Sequence, residues 1–376
     1  MSYIEILKEI VLHHTMKSLS NKKIFTHSLL LWNKNSNNRQ MPWKGIDDPY
    51  KIWLSEIMLQ QTRVEQGTAY YNRFIEKFPT IDKLAIAEDD EVFKMWEGLG
   101  YYSRCKNLMA TAKIIAFEYK GIFPSTYYEI LQLKGIGPYT AAAIASFAFN
   151  LPYAVVDGNV VRIISRFFGI EKPIDTNDGK RYFAEVAQSL LYTEDPATYN
   201  QAIMDFGATI CKPQQPLCKI CLLQKKCEAY AKNLIKMLPV KEKKLLKRNR
   251  YFYYIIVEQH GKVFVRKRTE KDIWQNLWEF ILVETDEKLS ADAFIKSNPF
   301  KSLFEGLKIS IKTSDFYKQQ LTHQTIEGLF LPVTAEAGFK NENYSSIKKE
   351  EIKKIAFPKF ITAFLEKNED LKNLQV

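Results

Sequence analysis

The N-terminal residues Met1 to Ser18 lack any apolar run long enough for a signal peptide or a membrane span. The expectation is a soluble, cytoplasmic chain with no membrane partner. Cysteine is scarce outside one short stretch: of five, Cys211, Cys218, Cys221 and Cys227 crowd together and Cys105 stands apart. That distribution excludes a disulfide framework and leaves metal ligation as the better reading. There is no internal repeat, so repeat architectures are excluded as well.

What the sequence has in excess is positive charge. Lys and Arg number 54 against 43 Asp and Glu, a formal net charge of +11, and the pI is about 9.1. A basic surface releases counterions when it docks on phosphates, so a polyanionic partner is suggested, although many basic proteins bind no nucleic acid specifically. At 376 residues the chain exceeds what one core organises, which predicts two domains with a boundary past the middle.

The apolar periodicity agrees. From Lys23 to Ala231 apolar residues recur at helical spacing in short segments separated by Pro and Gly. The predicted helices are Asp48 to Thr62, Asp89 to Trp96, Cys105 to Tyr119, Thr126 to Leu133, Tyr139 to Phe149 and Asn159 to Phe168. After the basic stretch at 234–250 the runs become aromatic and β-branched, at Tyr251 to Glu258, Gly261 to Arg266 and Thr325 to Leu331, with a last helix near Lys359 to Glu366. The expected organisation is an extension over 1–22, a helical domain over 23–233, a basic linker over 234–250 and an α+β domain over 251–376. The linker reads equally as a solvated tether or as one that also touches phosphates.

Four segments carry chemistry. Cys211-x6-Cys218-x2-Cys221-x5-Cys227 has one x2 interval flanked by intervals of six and five. Zinc sites favour two close knuckles joined by a longer loop, so an iron-sulfur cluster, [4Fe-4S], is favoured over zinc. Whether such a cluster is redox-active or a staple for a basic loop stays open.

Leu133-Lys-Gly-Ile-Gly-Pro-Tyr-Thr-Ala141 follows a helix with a capping-box start at Thr126 and Glu129. Gly135 and Gly137 let the chain turn between helices, and the amides that open the next helix, near Thr140, point towards an anion. This is a helix-hairpin-helix over 126–149. A helical hairpin that binds nothing is the plainer alternative.

Asp157 in Val155-Val-Asp-Gly-Asn-Val-Val-Arg162 reads as an N-cap. If the helix aims at a ligand, the same carboxylate faces a cation, with Asn159 fixing its position. Asp48-Pro49 opens a helix on which Glu56 lies one turn from Ile52, Trp53, Leu59 and Gln60. Buried, this carboxyl suits a general acid near neutral pH; at the edge of the core it is an ordinary surface glutamate.

In this order the segments resemble the helix-hairpin-helix DNA glycosylases, and within them the MutY-type adenine DNA glycosylases. The resemblance is densest from Met41 to Cys227, in Trp53-Leu-Ser-Glu-Ile-Met-Leu-Gln-Gln-Thr62, Gly98-Leu-Gly-Tyr-Tyr-Ser-Arg104, Val156-Asp-Gly-Asn-Val160 and Asn200-Gln-Ala-Ile-Met-Asp-Phe-Gly207. It implies a mainly α fold, a glycosylase domain with an iron-sulfur loop at 211–227, followed by an α+β MutT-like (Nudix-fold) domain. Glu56 is then the general acid on adenine, Asp157 the stabiliser of the sugar cation and Tyr139 its neighbour. By the same resemblance Gln61 and Tyr101 are wedge residues and Gln201 lines the adenine pocket.

The implied partner is duplex DNA carrying adenine opposite 8-oxoguanine or guanine, acted on by a monomer, at the nucleoid if the host is bacterial. An endonuclease III-like lyase would place a Schiff-base lysine two residues after the second hairpin glycine, where this sequence has Tyr139. A DNA-binding scaffold without catalysis is the third reading. In the C-terminal part the resemblance rests on Trp274-Gln-Asn-Leu-Trp-Glu-Phe280 and Leu321-Thr-His-Gln324, where the family has Phe-Ser-His. Thr322 and His323 are the implied lesion-reading residues, and no acidic Nudix hydrolase motif is present.

Overall fold

The computed structural model describes residues 21–242, 247–312, 314 and 316–367. The expected extension over 1–22 lies outside the described residues except for 21 and 22, which are helical. In chain order the first helices are α1 (residues 21–36), α2 (Pro49–Leu59), α3 (Val64–Lys77), α4 (Ile81–Ala85), α5 (Asp89–Trp96) and α6 (Tyr102–Phe117). Then come α7 (Tyr127–Gln132), α8 (Pro138–Phe149), α9 (Gly158–Phe168), α10 (Asn177–Leu190), α11 (Pro196–Thr209) and α12 (Glu228–Ala231). The remainder holds β1 (Arg248–Gln259), β2 (Lys262–Lys267), β3 (Trp278–Glu279), β4 (Ile281–Thr285), α13 (Ala291–Ile295) and α14 (Asn298–Leu303). It ends with β5 (Ile309–Ile311), β6 (Tyr317–Gln320), β7 (Gln324–Ala335), β8 (Ser345–Lys348) and α15 (Lys359–Leu365). No helix among the described residues is long and apolar enough to cross a membrane.

All six predicted helices are present, with ends moved by a few residues. The periodicity passed over α1, α3, α4, α10, α11 and α12; of these α3 and α10 are mostly polar and bury only a thin stripe, Gly67, Tyr71 and Phe74 in one, Gly179, Phe183, Ala187 and Leu190 in the other.

The described residues fall into two compact units, Met1–Ile75 with Ile114–Lys244, and Glu76–Lys113 with Leu245–Val376. In the first, α1, α9, α10 and α11 enclose one core of Phe25, Leu29, Trp32, Ile163, Phe167, Phe183 and Phe206. Their burial fixes the N-terminus of α9 beside α11.

The second unit is built on an eight-stranded mixed sheet of order β3-β2-β1-β7-β5, with β4 also on β1, β6 on β7 and β8 on β2. Among the described residues only β1 and β7 run parallel, Arg248–Glu258 against Gln324–Thr334. Tyr253, Ile255 and Val257 face one core with Phe294, Leu329 and Leu331. On the other side Phe252 and Tyr254 meet Trp274, Phe330 and Phe360. Both faces of β1 are covered, which is why its sequence is a nearly continuous apolar run. Residues 76–113 join this unit through named bonds: Phe357 N donates to Glu97 Oε1 at 2.8 Å, and Lys94 Nζ donates to Ile355 O at 3.1 Å.

The basic stretch 234–250 is a linker only in part. Leu238 is buried, its carbonyl accepts from Arg166 Nε at 3.0 Å, and Val240 O accepts from Ile174 N at 3.0 Å. At the other end Arg250 already belongs to β1 and pairs with Asp272 and Glu284. Charge density marked this stretch as polar, but stems and backbone bonds hold both ends in place.

Candidate active site

Asp48 caps α2 by accepting from Tyr50 N at 3.0 Å and Lys51 N at 3.3 Å, and Pro49 occupies the first turn, where its missing N–H costs nothing. Tyr50 and the seven consecutive residues Ile52 to Met58 of α2 are buried, so Glu56 enters the interior with them and is only 6% exposed. Burial pushes its carboxyl up to about 7; the bond from Tyr139 pulls the other way, and the nearby Asp157 charge adds to the rise.

Tyr139 reaches Glu56 because of the hairpin. Thr126 caps α7 through Glu129 N at 3.3 Å, and the chain then turns at Gly135, whose φ of +78° lies in the left-handed region. Gly137 has ordinary extended backbone as the N-cap of α8, and a Cβ built there would meet nothing within 4 Å. Of the two glycines expected to make the turn, Gly135 makes it and Gly137 leaves room for a close approach. Helix α8 packs through Ala141, Ala143, Ile144 and Ala145, all fully buried; such small side chains let it lie close to α2. The Tyr139 hydroxyl donates to Glu56 Oε2 at 2.8 Å. Burial, followed by the charges of Glu56 and Asp157, pushes its own pKa well up, so it stays a donor.

Thr140 turns its side chain inward. Expected at the DNA surface, it is 2% exposed, and its hydroxyl accepts from Gln60 Nε2 at 3.4 Å. Only the free amides of this first turn remain to meet an anion.

Asp157 is both a cap and a pocket residue. Its Oδ1 accepts from Val160 N at 2.7 Å and its Oδ2 from Asn159 Nδ2 at 2.6 Å. Burial raises its pKa and outweighs the Val160 and Asn159 donors and the Arg162 charge, which lower it. Arg162 holds Asn159 in turn, donating through Nη2 to Asn159 Oδ1 and Gly207 O, both at 2.7 Å, and through Nε to Cys211 O at 2.8 Å.

These side chains share one pocket of about 610 Å³, lined by Glu56, Tyr139, Asp157, Asn159 and Gln201, with Gln61 on its wall. Gln61 is exposed, with a left-handed φ of +58° just past the end of α2, a conformation rare outside glycine and concentrated at functional sites. Sequence reasoning passed over three further residues. Arg39 and Lys44 line the pocket, and both pair with the fully buried Asp205 on α11. The available signal was a charged residue between Met204 and Phe206 on the apolar side of a helix.

The remaining expected residues lie elsewhere. Tyr101, Thr322 and His323 line a pocket of about 470 Å³ in the second unit, together with Trp274 and Gln319. The hydroxyls of Tyr101 and Thr322 are hydrogen-bonded, and Tyr101 too has a left-handed φ, +49°. Cys211, Cys218, Cys221 and Cys227 surround one small cavity walled by Ile210, Pro216, Leu217 and Ile235. Arg166 Nη1 approaches Cys211 Sγ at 3.5 Å. Among the described residues, no three His, Cys, Asp or Glu side chains are arranged to hold a metal ion directly.

Residues 54–188 match the HhH-GPD superfamily of base excision DNA repair proteins, and residues 252–367 match the NUDIX domain. The adenine DNA glycosylase of Buchnera aphidicola subsp. Baizongia pistaciae is 33% identical over 327 residues, 85% of this chain and 89% of that protein. That of Buchnera aphidicola subsp. Acyrthosiphon pisum is 37% identical over 259 residues, 69% and 74% of the two chains. A solved thermostable thymine-DNA glycosylase is 31% identical with a TM-score of 0.53, over 57% of this chain and 99% of its own. Identity at this level runs across both parts of the chain: the chain belongs to the MutY-type adenine DNA glycosylases, a family of helix-hairpin-helix enzymes with a Nudix-like C-terminal part.

Proposed function

We propose that the chain is a monofunctional glycosylase that hydrolyses the N-glycosidic bond of adenine paired with 8-oxoguanine or guanine in duplex DNA. One observation carries the reading: Glu56, with a pKa near 7, bonded to Tyr139 and facing the same pocket as Asp157. Two carboxyls with different environments divide the work of breaking a glycosidic bond. Asp157 takes two short N–H bonds and feels Arg162, which favour its ionised form; Glu56 has one donor and is more deeply buried, so the shared proton belongs on Glu56.

The mechanism follows. The adenine nucleotide turns out of the duplex into the pocket, because neither carboxyl reaches a stacked base. Tyr139 occupies Glu56 Oε2 and leaves Oε1 to carry the proton to a ring nitrogen, so the base departs neutral. Asp157 faces the sugar cation that remains, held by Asn159 and the Val160 amide. Water adds at the anomeric carbon and its proton passes to a carboxylate. Tyr139 occupies the place of the lyase lysine, so no Schiff base forms and the strand stays intact. Gln201 lines the base pocket and Gln61 supports the gap from the α2 end.

The amides at the start of α8, with room at Gly137, suit a DNA phosphate. Thr322 and His323 suit recognition of the oxidised guanine, and Tyr101, exposed beside them in the same pocket, suits the wedge. The four cysteines fit a [4Fe-4S] cluster: four sulfur donors and an arginine at one sulfur surround an apolar cavity. When bound, the cluster supplies cross-linking of residues 211–227; no step of hydrolysis needs it. The reading places a glycosylase domain at 23–233, apart from residues 76–113, which pack in the other unit, and a recognition domain at 251–376, of a monomer acting in the cytoplasm.

The test is single-turnover excision on duplexes with adenine opposite 8-oxoguanine, guanine or thymine, with strand breaks scored before and after alkali. Breaks that need alkali and form fastest opposite 8-oxoguanine are expected. Breaks without alkali would restore the lyase reading, and no breaks at all the scaffold.

A further inference from the structure

Between α1 and α2 the chain has no regular structure over 37–41 and only turns over 42–45. Yet Arg39, Met41, Trp43, Lys44 and Gly45 form one wall of the active-site pocket. A wall without a helical or strand ladder needs another anchor, and a single carboxylate provides it. Asp205 Oδ1 accepts from Arg39 Nη1 at 2.8 Å, while Oδ2 accepts from Lys44 Nζ and Asn37 Nδ2, each at 2.9 Å. The Asp205 side chain is 0% exposed, against 24% for Arg39 and 20% for Lys44.

The other contacts of the segment extend this anchor. Asn37 Nδ2 also donates to Asn33 Oδ1 at 2.7 Å on α1, and Asn37 Oδ1 accepts from Arg39 N at 3.1 Å. Lys44 Nζ donates again to Arg39 O at 2.7 Å, which closes the segment on itself, and the Trp43 ring rests edge-on against Tyr71. Asp205 stands one turn beyond Gln201 on α11, so one helix sets both a polar pocket residue and the opposing wall. Two cations on one carboxylate leave a positive balance here, opposite in sign to Asp157 on the same pocket.

We propose that Asp205 is a positioning residue for the excision reaction: by clamping Arg39 and Lys44 it shapes residues 37–45 into the wall against which the everted adenine nucleotide is seated. The inference rests on the adenine-excision reading above. A truncated or displaced wall leaves the base free to miss Glu56, and misplacement of about 1 Å costs on the order of a hundredfold in rate.

The full chain is compared with Asp205→Asn, Asp205→Glu and Lys44→Met in three measurements. These are single-turnover excision opposite 8-oxoguanine across neutral pH, affinity for a duplex with a tetrahydrofuran abasic analogue in place of adenine, and fluorescence of 2-aminopurine at the adenine position. Asp205→Asn is expected to slow excision roughly ten- to a hundredfold and to reduce the emission that reports seating of the base. The pH midpoint and the affinity for the abasic duplex, which has no base to seat, stay as in wild type. Asp205→Glu recovers part of the rate, and Lys44→Met costs less in the Asp205→Asn background than alone, as expected for groups acting through one contact.

Excision by Asp205→Asn at the wild-type rate overturns the proposal, and so does a parallel loss of abasic-duplex affinity, which marks general damage. If Asp205→Asn does not fold, Lys44→Met alone must show the same split between seating and abasic binding. A wild-type chain that seats 2-aminopurine yet leaves adenine intact counts against the excision reading, not against the clamp, which is then judged on seating.

Discussion

Glu56 sets chemistry against stability. Its carboxyl is deprotonated near pH 4.5 in an unfolded chain but near 7 in the folded one, so the folded state binds more protons between those values. Stability is therefore full below about 4.5 and falls as pH rises through 7, by roughly 3 kcal/mol for a shift of this size. Glu56→Gln removes that slope. Denaturant unfolding of wild type and variant from pH 5 to 8, on the order of this window, is expected to show the wild type losing ground and the variant not. The same substitution removes the transferable proton, so excision falls about 10²- to 10⁴-fold. In wild type the excision rate constant is flat on the acid side and declines above about 7 as Glu56 ionises. A rate that rises with pH through that region would exclude Glu56 as the acid.

This residue also shows how far the sequence can be read. The Asp48-Pro49 start placed Glu56 on a helix among apolar neighbours, but one helix does not reveal whether its carboxyl head reaches water. That depended on α8, some eighty positions away, whose alanines bring Tyr139 within 2.8 Å. Asp205 was hidden for the same reason: its three partners come from residues 37–44, and only tertiary contact turns an isolated acid into a clamp.

At the scale of elements, the hairpin between α7 and α8 separates two jobs that its sequence joined. Gly135 answers to backbone geometry and Gly137 to clearance. Gly135→Ala forces a Cβ into the left-handed region and is expected to cost about 1–2 kcal/mol of stability. Gly137→Ala has allowed angles and empty space around it, so thermal unfolding is unchanged. Its methyl stands where the backbone would meet a phosphate, however, and duplex affinity should weaken severalfold, in the range of about 1 kcal/mol for one contact. If Gly137→Ala binds undamaged duplex as wild type does, the hairpin is not a phosphate site. Helix boundaries were legible here because caps act locally: Asp48, Thr126 and Asp157 all accept the amides expected of them. The thin stripes of α3 and α10 offered no comparable local mark.

For the whole molecule, composition foresaw two parts but not how the chain is shared between them. Residues 76–113 read as more of the same short helices, and they are tied to the second unit by partners far along the chain, such as Phe357 N to Glu97, Lys94 to Ile355 O and Lys267 to Asp90. Backbone donors and acceptors leave no trace in residue identity. This sharing has a functional consequence, since it puts Tyr101 in the unit that contains Thr322, and the two hydroxyls bond.

Charge and recognition should then separate in binding. The formal charge of +11 acts on phosphates, which every duplex has, whereas Tyr101 and Thr322 are neutral groups that release no counterions. The affinity of the full chain is expected to fall with salt along the same log–log slope for duplexes with adenine opposite 8-oxoguanine and opposite thymine, with only the intercepts apart. Six to ten neutralised phosphates correspond to a slope of roughly −5 to −9. Thr322→Val keeps the shape but loses the hydroxyl, and it should move the 8-oxoguanine intercept towards the other, by about 1 kcal/mol, at constant slope. Fluorescence anisotropy titrations from low to high salt test this. A change of slope by a full unit in Thr322→Val would mean that this loop contacts phosphate instead of reading the base, and the recognition role would pass to other residues of its pocket.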